Sequence, residues 1–555
     1  MAPHEGTLNN LVVYIRFSDD TEFTMTRQAY DGRFNATTGN SLRSYYSEVS
    51  YNNLTLSSTH YPDCPMTTNL SYRDVHNRGY FQPYNATTNP GGYANDTERT
   101  DREHTLLRDA IEWINVNSPV PAGLDIDGDS DGYADNVCFI IRGGNDAWAE
   151  LLWAHRWSLF SYDVFVNGKR VMDYTFQPET QVDVQTLCHE MFHALGAPDL
   201  YHYSSDGKAP VGDWDLMESG FGHMGAFMKW KYTNQTWINN ITEITTSGTY
   251  TLRPLSGPTG NCFRIASPWS TSQFFVVEYR KKEGTYENSL PGSGMLVYRI
   301  DESTTGNAGG PPEEVYLYRP GGTLSVNGTL TNAYFSAGSN RTRINDQTNP
   351  SSFLQNGSPG GLRIFGITAA DTTISFNVEI IHPDNPSSAT ATATGVSEIL
   401  VQWTSHPQYG QVLVAFDTTG QFGTPAPGTV YQPGASIPGG GTVLYLGTGL
   451  SFNHTGLAMQ KRYFYRIWSV KPGNAYSPGL SCQAVTLCPA VATLPFTEGF
   501  ESEPSVPACW LEDSDDPVWQ FTAGNGLGYP YGYPATARTG LRNACLTDAS
   551  AAATS

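Results

Sequence analysis

QTLCHEMFHALGAPDLYHY, running from Gln185 to Tyr203, is the stretch on which the reading of this chain turns. His189 and His193 stand four residues apart, so on a helix both project from one face, one turn from each other. Two imidazoles so placed can reach a single Zn²⁺ at about 2.0–2.1 Å each. Glu190, beside the first histidine, can point at the water on that ion rather than at the ion itself. Zinc brings the pKa of such a water down to about 7, where a carboxylate can take its proton. Gly196 can adopt a positive φ and stop the helix, so that the chain swings back and presents Asp199 as a third ligand. Leu187, Met191, Phe192 and Leu195 supply an apolar side to anchor the helix. The whole reads H-E-x-x-H-x-x-G-x-x-D, a far rarer pattern than the two surface histidines of an ordinary helix. His202 and Glu218 are the alternative third ligands.

Downstream, GDWDLMESG (Gly212 to Gly220) places Met217 in a glycine-flanked turn, as in the turn beneath the ligands of metzincin proteases. Upstream, the apolar runs NLVVYIRFSD (Asn10 to Asp19) and NVCFIIRGG (Asn136 to Gly144) read as buried strands. Between them, DREHTLLRDAIEWIN sets Leu106, Leu107, Ala110, Ile111 and Ile114 on one helical stripe. Strand, helix, strand in that order points to an α/β domain over residues 1–240. Beyond it the helical signal fades. ITEITTSGTYTLRPL, QFFVVEYRKK, GMLVYRID and TISFNVEII are short strands between Gly, Pro and Asn turns. They suggest a β-sandwich over 241–382 packed on the first domain. HPDNPSS is a linker by composition, and residues 383–488 suit a second sandwich, with Trp403, Tyr463, Tyr465 and Ile467 for its core. The fold class expected is therefore multidomain: α/β followed by all-β modules.

Composition agrees and excludes alternatives. The 555 residues carry 32 Lys+Arg against 53 Asp+Glu, a net charge of −21, with 55 Gly and 35 Pro. A pI near 4.9 has the wrong sign for general nucleic-acid binding. Aromatics at 12% and charged residues at 15% argue against disorder. No run nears the roughly 18 apolar residues of a membrane span. The opening MAPHEGTLNN has neither a basic nor an apolar signal segment, so a secreted form is expected with its export signal already absent. The eight cysteines are too sparse to staple the fold. Bridging is expected among the four after residue 480, and Cys138 is expected as a buried thiol.

The zinc segment, WDLM, SLRSYYSEVSYNNLTL, DIDGDSDGYADNVCFII, WAHRW and FFVVEYRKKEGTYENSLPGSGMLVYRID together resemble the immune inhibitor A-like family of secreted zinc metalloproteases, over roughly residues 8–380. The resemblance implies a metzincin-like catalytic domain and a zinc endopeptidase, with His189, His193 and Asp199 as ligands and Glu190 as general base. The usual metzincin third ligand is histidine, so Asp199 departs from that pattern. Residues 383–488, through the Leu457-to-Tyr463 spacing, resemble a fibronectin type III domain with Tyr463 as its corner tyrosine. The stretch from LPFTEGFESEPSVPACW onward, within residues 489–555, resembles the start of a jelly-roll adhesin domain, too short to complete one.

DIDGDSDGYADNVC offers Asp127, Asp129, Asp131 and Asp135, with Gly132 at the turn. Cys138 stands where an EF-hand requires a bidentate glutamate, so the loop is not an EF-hand. The crowded carboxylates still suit Ca²⁺, a hard cation that takes oxygen ligands. His155, within WAHRW, reads as a packed histidine with a cleft role as the alternative. Tyr201, Tyr203, His223 and Tyr232 are candidate donors to a developing oxyanion. Two functional classes follow. One is a secreted zinc endopeptidase acting on extracellular, host or mucosal proteins. The other is an adhesin or glycan-binding protein with a vestigial protease domain.

Overall fold

The computed structural model describes residues 2–489, apart from 205, 271, 381–384, 408 and 472, together with the backbones of two strands, Val518–Ala523 and Arg542–Thr547. The expected jelly-roll segment lies, but for that antiparallel strand pair, outside the described residues. The chain divides into two compact units, Met1–Ile381 and His382–Ser555.

The first unit is built on a six-stranded sheet centred on Gly6–Arg16. Leu54–Tyr61 pairs with it in parallel on one side and Val137–Ile141 on the other. Asp173–Pro178 continues the parallel order, and His155–Ser158 closes the edge antiparallel. Strand periodicity divides the core in two, because successive side chains point to opposite faces. Leu8, Val12, Tyr14, Cys138 and Ile140 face one way. Leu11, Val13, Ile15, Val137, Phe139 and Ile141 face the other. Both faces are covered, which explains why these strands read as continuous apolar runs. The odd-numbered face packs on the long helix Asp96–Asn117 through Leu106, Leu107, Ala110, Ile111 and Ile114. The even-numbered face packs on Arg27–Asn35, Leu42–Val49 and the histidine helix Val184–Ala194.

Residues 248–378 supply two four-stranded sheets with a shared core between them. In the strand Gln273–Arg280, Phe274 and Val276 join the core of the histidine helix, while Phe275, Val277 and Tyr279 fill the space between the sheets. One sheet therefore serves two cores, and the sandwich is continuous with the α/β layers inside the first unit. In the second unit, Ser388–Ala393, Ile399–Thr404 and Ser451–His454 form one sheet. Gln411–Asp417, Thr442–Gly447, Arg462–Lys471, Ala475–Tyr476 and Leu480–Val485 form the other. Ile399, Val401, Trp403, Val412, Val414, Tyr463, Tyr465 and Ile467 fill the space between. The Tyr463 hydroxyl accepts the Ala458 N–H at 3.0 Å, a link across the corner of the sandwich. No helix among the described residues is long and apolar enough to cross a membrane.

Candidate functional site

The histidine helix starts at Asp183, whose side chain accepts the Thr186 N–H at 3.0 Å. It ends in a Schellman arrangement. The Gly196 N–H reaches the His193 carbonyl and the Ala197 N–H reaches the Phe192 carbonyl, with Gly196 at φ 102°. This reversal carries Asp199 back beneath the helix. Its Oδ1 lies 3.1 Å from His189 Nε2 and 3.2 Å from His193 Nε2.

The tautomers follow from the partners. His189 Nδ1 lies 2.9 Å from the Leu216 carbonyl and His193 Nδ1 lies 2.7 Å from the Ala197 carbonyl. A carbonyl only accepts, so both Nδ1 atoms carry hydrogen and both Nε2 atoms face Asp199. This is the arrangement that outer hydrogen bonds impose on metal-ligating histidines. Three donors, two imidazole nitrogens and one carboxylate oxygen, converge with open space beside them, a set that fits zinc. Burial opposes charge on His189, but hydrogen bonding to Asp199 and the carboxylates of Glu190 and Asp199 outweigh it and raise its pKa to about 9. Burial likewise opposes ionisation of Asp199, and the two histidines reverse this, holding it below the usual carboxylate range.

The turn bearing Met217 underlies this centre. Met217 is fully buried, donates its N–H to Asp215 Oδ1 at 2.9 Å and accepts the Leu200 N–H at 2.8 Å. Its neighbour Leu216 supplies the carbonyl that orients His189. Arg280, from the sandwich, holds the same turn through the Trp214 carbonyl at 2.7 Å.

The alternative third ligands are engaged elsewhere. Glu218 Oε2 accepts the N–H groups of Val211 and Gly212 at 2.7 and 2.6 Å. His202 is buried with its Nδ1 2.8 Å from Asp206 Oδ2. Of the four candidate oxyanion donors, Tyr201 and Tyr203 line the cleft. The Tyr203 hydroxyl donates to Asp199 Oδ2 at 2.5 Å. His223 is not at the cleft; it is fully buried between Glu48 and Lys229. Nor is Tyr232, whose hydroxyl donates to Glu314. Their nearness in sequence did not become nearness in space, because Ala226–Lys231 turns that segment into the interior. His155 is both packed and cleft-lining. Its nitrogens meet the Trp153 carbonyl at 2.8 Å and Glu103 Oε1 at 2.9 Å.

Two hollows meet at the triad and share Trp153, His189 and Glu190. One, of about 510 Å³, runs past His155, Arg156, His193, Tyr201, Tyr203 and Ala308. The other, of about 330 Å³, runs past Asp146, Trp148, Gln185, Leu216 and Glu218. Glu190, 6% exposed, thus lines both hollows where they adjoin.

One contributor was missed in the sequence. Asn307, fully buried, donates its N–H to the Asp199 carbonyl at 2.9 Å. Its Nδ2 donates to the Leu200 and Val315 carbonyls at 2.9 and 2.8 Å, and its Oδ1 accepts the Val315 N–H at 3.1 Å. Beside it, a Cβ on Gly306 would fall 2.6 Å from Pro198 Cβ, so only glycine permits this approach. The sandwich therefore clamps the loop that carries Asp199. Asn307→Ala keeps the N–H to Asp199 but loses the side-chain bonds to Leu200 and Val315, so it is expected to loosen the Asp199 loop and weaken metal binding about fivefold, the worth of a hydrogen bond of roughly 1 kcal/mol. Competition with a chromogenic chelator measures it.

The acidic loop brings together Asp127, Asp129 and Asp135, whose carboxylates lie within 4.8 Å of one another. Asp131 does not join them: its N–H donates to Asp127 Oδ1 at 2.9 Å, and its own Oδ1 accepts the Tyr133 N–H at 2.9 Å. Asp127 also pairs with Lys169 at 2.6 Å. Burial, then the neighbouring aspartates, push the Asp135 carboxyl up to about 7.

Residues 129–235 match the family described as immune inhibitor A peptidase M6, catalytic domain. That match supports a metallopeptidase, and with it protein substrates. It encloses His189, Glu190, His193, Asp199 and Met217, and leaves Asn307 outside. No curated protein matches the chain. Among solved structures, the chain is similar to fibronectin type III domains. FN3tt is 8% identical over 19% of this chain and 94% of its own, with a TM-score of 0.14. An Fn3-like protein from Clostridium thermocellum is 16% identical over 19% and 92%, at 0.14. The FN3 domain of human collagen XX is 20% identical over 20% and 99%, also at 0.14.

Proposed function

We propose that the first unit is a secreted, metzincin-like zinc endopeptidase. The observation that carries the reading is the convergence of His189 Nε2, His193 Nε2 and Asp199 Oδ1 beside Glu190 in an open groove. His189, His193 and Asp199 would hold the zinc, whose Lewis acidity polarises a carbonyl when it is bound. Glu190 takes a proton from the attacking water and returns it to the leaving amine, a shuttle its place on the helix beside His189 allows. The Leu216 and Ala197 carbonyls keep both imidazoles in the required tautomer, and Tyr203 steadies Asp199. The groove runs past Glu190 in both directions, which suits cleavage within a chain rather than at its end.

The Asp127–Asp129–Asp135 cluster is read as a Ca²⁺ site supporting the sheet rather than the chemistry. Secretion fits the disulfide at Cys488. The adhesin reading is not favoured, since the family match falls on the zinc segment and Glu190 is intact. The test is removal and return of metal. Dialysis against a zinc chelator is expected to abolish cleavage of denatured casein, and one equivalent of Zn²⁺ to restore it. Activity that survives with zinc below a tenth of an equivalent defeats the reading.

A further inference from the structure

The smaller hollow beside Glu190 has a chemistry that the peptidase reading does not use. Its walls include Trp148 and Trp153, whose rings lie 5.8 Å apart at 66°. Two carboxylates reach it from separate loops, Asp146 and Glu218, with the amides of Asn145, Gln181 and Gln185 between them. Among the described residues that line it there is no lysine or arginine.

Both carboxylates have capacity left. Asp146 Oδ1 accepts Gln82 Nε2 at 2.9 Å and lies 3.9 Å from Arg78 Nη2, while its Oδ2 is buried without a hydrogen-bond partner among the described residues. Arg78 is itself divided between the Arg142 and Gly144 carbonyls. Glu218 spends Oε2 on two backbone amides. Burial lifts its carboxyl to about 7, against the opposing pull of the Val211 and Gly212 amides and of Arg319. An aromatic face attracts a cation as a carboxylate does, so walls and charges ask for the same group. A net charge of −21 adds long-range attraction for basic substrates.

We infer that this hollow is a specificity pocket for a lysine or arginine side chain next to the scissile bond, held by Asp146 and Glu218 and flanked by Trp148 and Trp153. The inference rests on the peptidase reading, and the experiment separates the two.

The probes are quenched peptides differing only in lysine, arginine, norleucine or glutamate on either side of the cleaved bond. At one of the two positions, the zinc-loaded protein is expected to cleave the lysine peptide about tenfold or more faster than the norleucine peptide in kcat/KM. Asp146→Asn and Glu218→Gln should each shrink that ratio severalfold, and salt should shrink it in the wild type. In parallel, the Glu190→Gln protein is titrated with the lysine and norleucine peptides, which reads the pocket without catalysis. Lysine-selective binding with no cleavage of any peptide would fault the peptidase reading and uphold the pocket. Cleavage and binding with equal preference for lysine and norleucine would overturn the pocket, whether or not the variants fold.

Discussion

Glu190→Ala is expected to retain one equivalent of zinc and lose cleavage of a denatured protein by about 10²–10⁴-fold in kcat/KM, the range over which a general base acts. The two halves of that result have separate causes. Zinc is retained because Glu190 is not among the converging donors, which are His189 Nε2, His193 Nε2 and Asp199 Oδ1. Nothing in the helix should fail either: the cap at Asp183, the reversal at Gly196 and the tautomer-setting carbonyls are all untouched. Activity is lost because another group would have to carry the proton. Asp199 is committed to the histidines and Tyr203, and His155 to Glu103 and the Trp153 carbonyl. Metal analysis and a fluorescent cleavage assay on the same preparation read both halves. Full activity in the variant would remove Glu190 from the mechanism.

Local features of the fold and site were legible in the sequence because their causes are local. The apolar runs at Val12 and Phe139 announce strands buried on both faces, and the stripe from Leu106 to Ile114 announces the helix beneath them. Gly196 is a readable stop because a positive φ after a helix favours glycine. The clamp at Asn307 was not legible. It acts 108 residues from Asp199 largely through main-chain groups, and an asparagine among glycines reads as one more turn. Nor could sequence separate Tyr203 from Tyr232. One closes the zinc segment and the other follows it by 29 residues, and only the packing of Ala226–Lys231 sends Tyr232 to Glu314. Likewise Trp148 stands 5.8 Å from Tyr203 across the groove, a contact that no periodic pattern marks.

Asp199→Ala should have the second large effect, on metal rather than on the proton shuttle. A site reduced from three protein ligands to two is expected to lose most of its zinc on dialysis and to fall in activity with it. Retained zinc would turn attention to His202 or Glu218, against the partners each now has. A second readout follows from the charge on His189. Without metal its pKa stands near 9, so at pH 7 it holds a proton that zinc must displace. Zinc uptake by the wild type should therefore release a proton at pH 7, and affinity should climb as pH rises towards 9. For the metal-free fold the sign is opposite. A raised histidine pKa contributes stability that is complete below about 6.5 and is lost as pH rises through 9. Asp199→Ala removes the hydrogen bond and one of the two carboxylates that raise this pKa, so His189 holds its proton less strongly. Calorimetric titration of zinc in two buffers of different ionisation enthalpy counts the protons. The variant should release fewer than the wild type, whereas a merely loosened loop would weaken binding and leave the proton count unchanged.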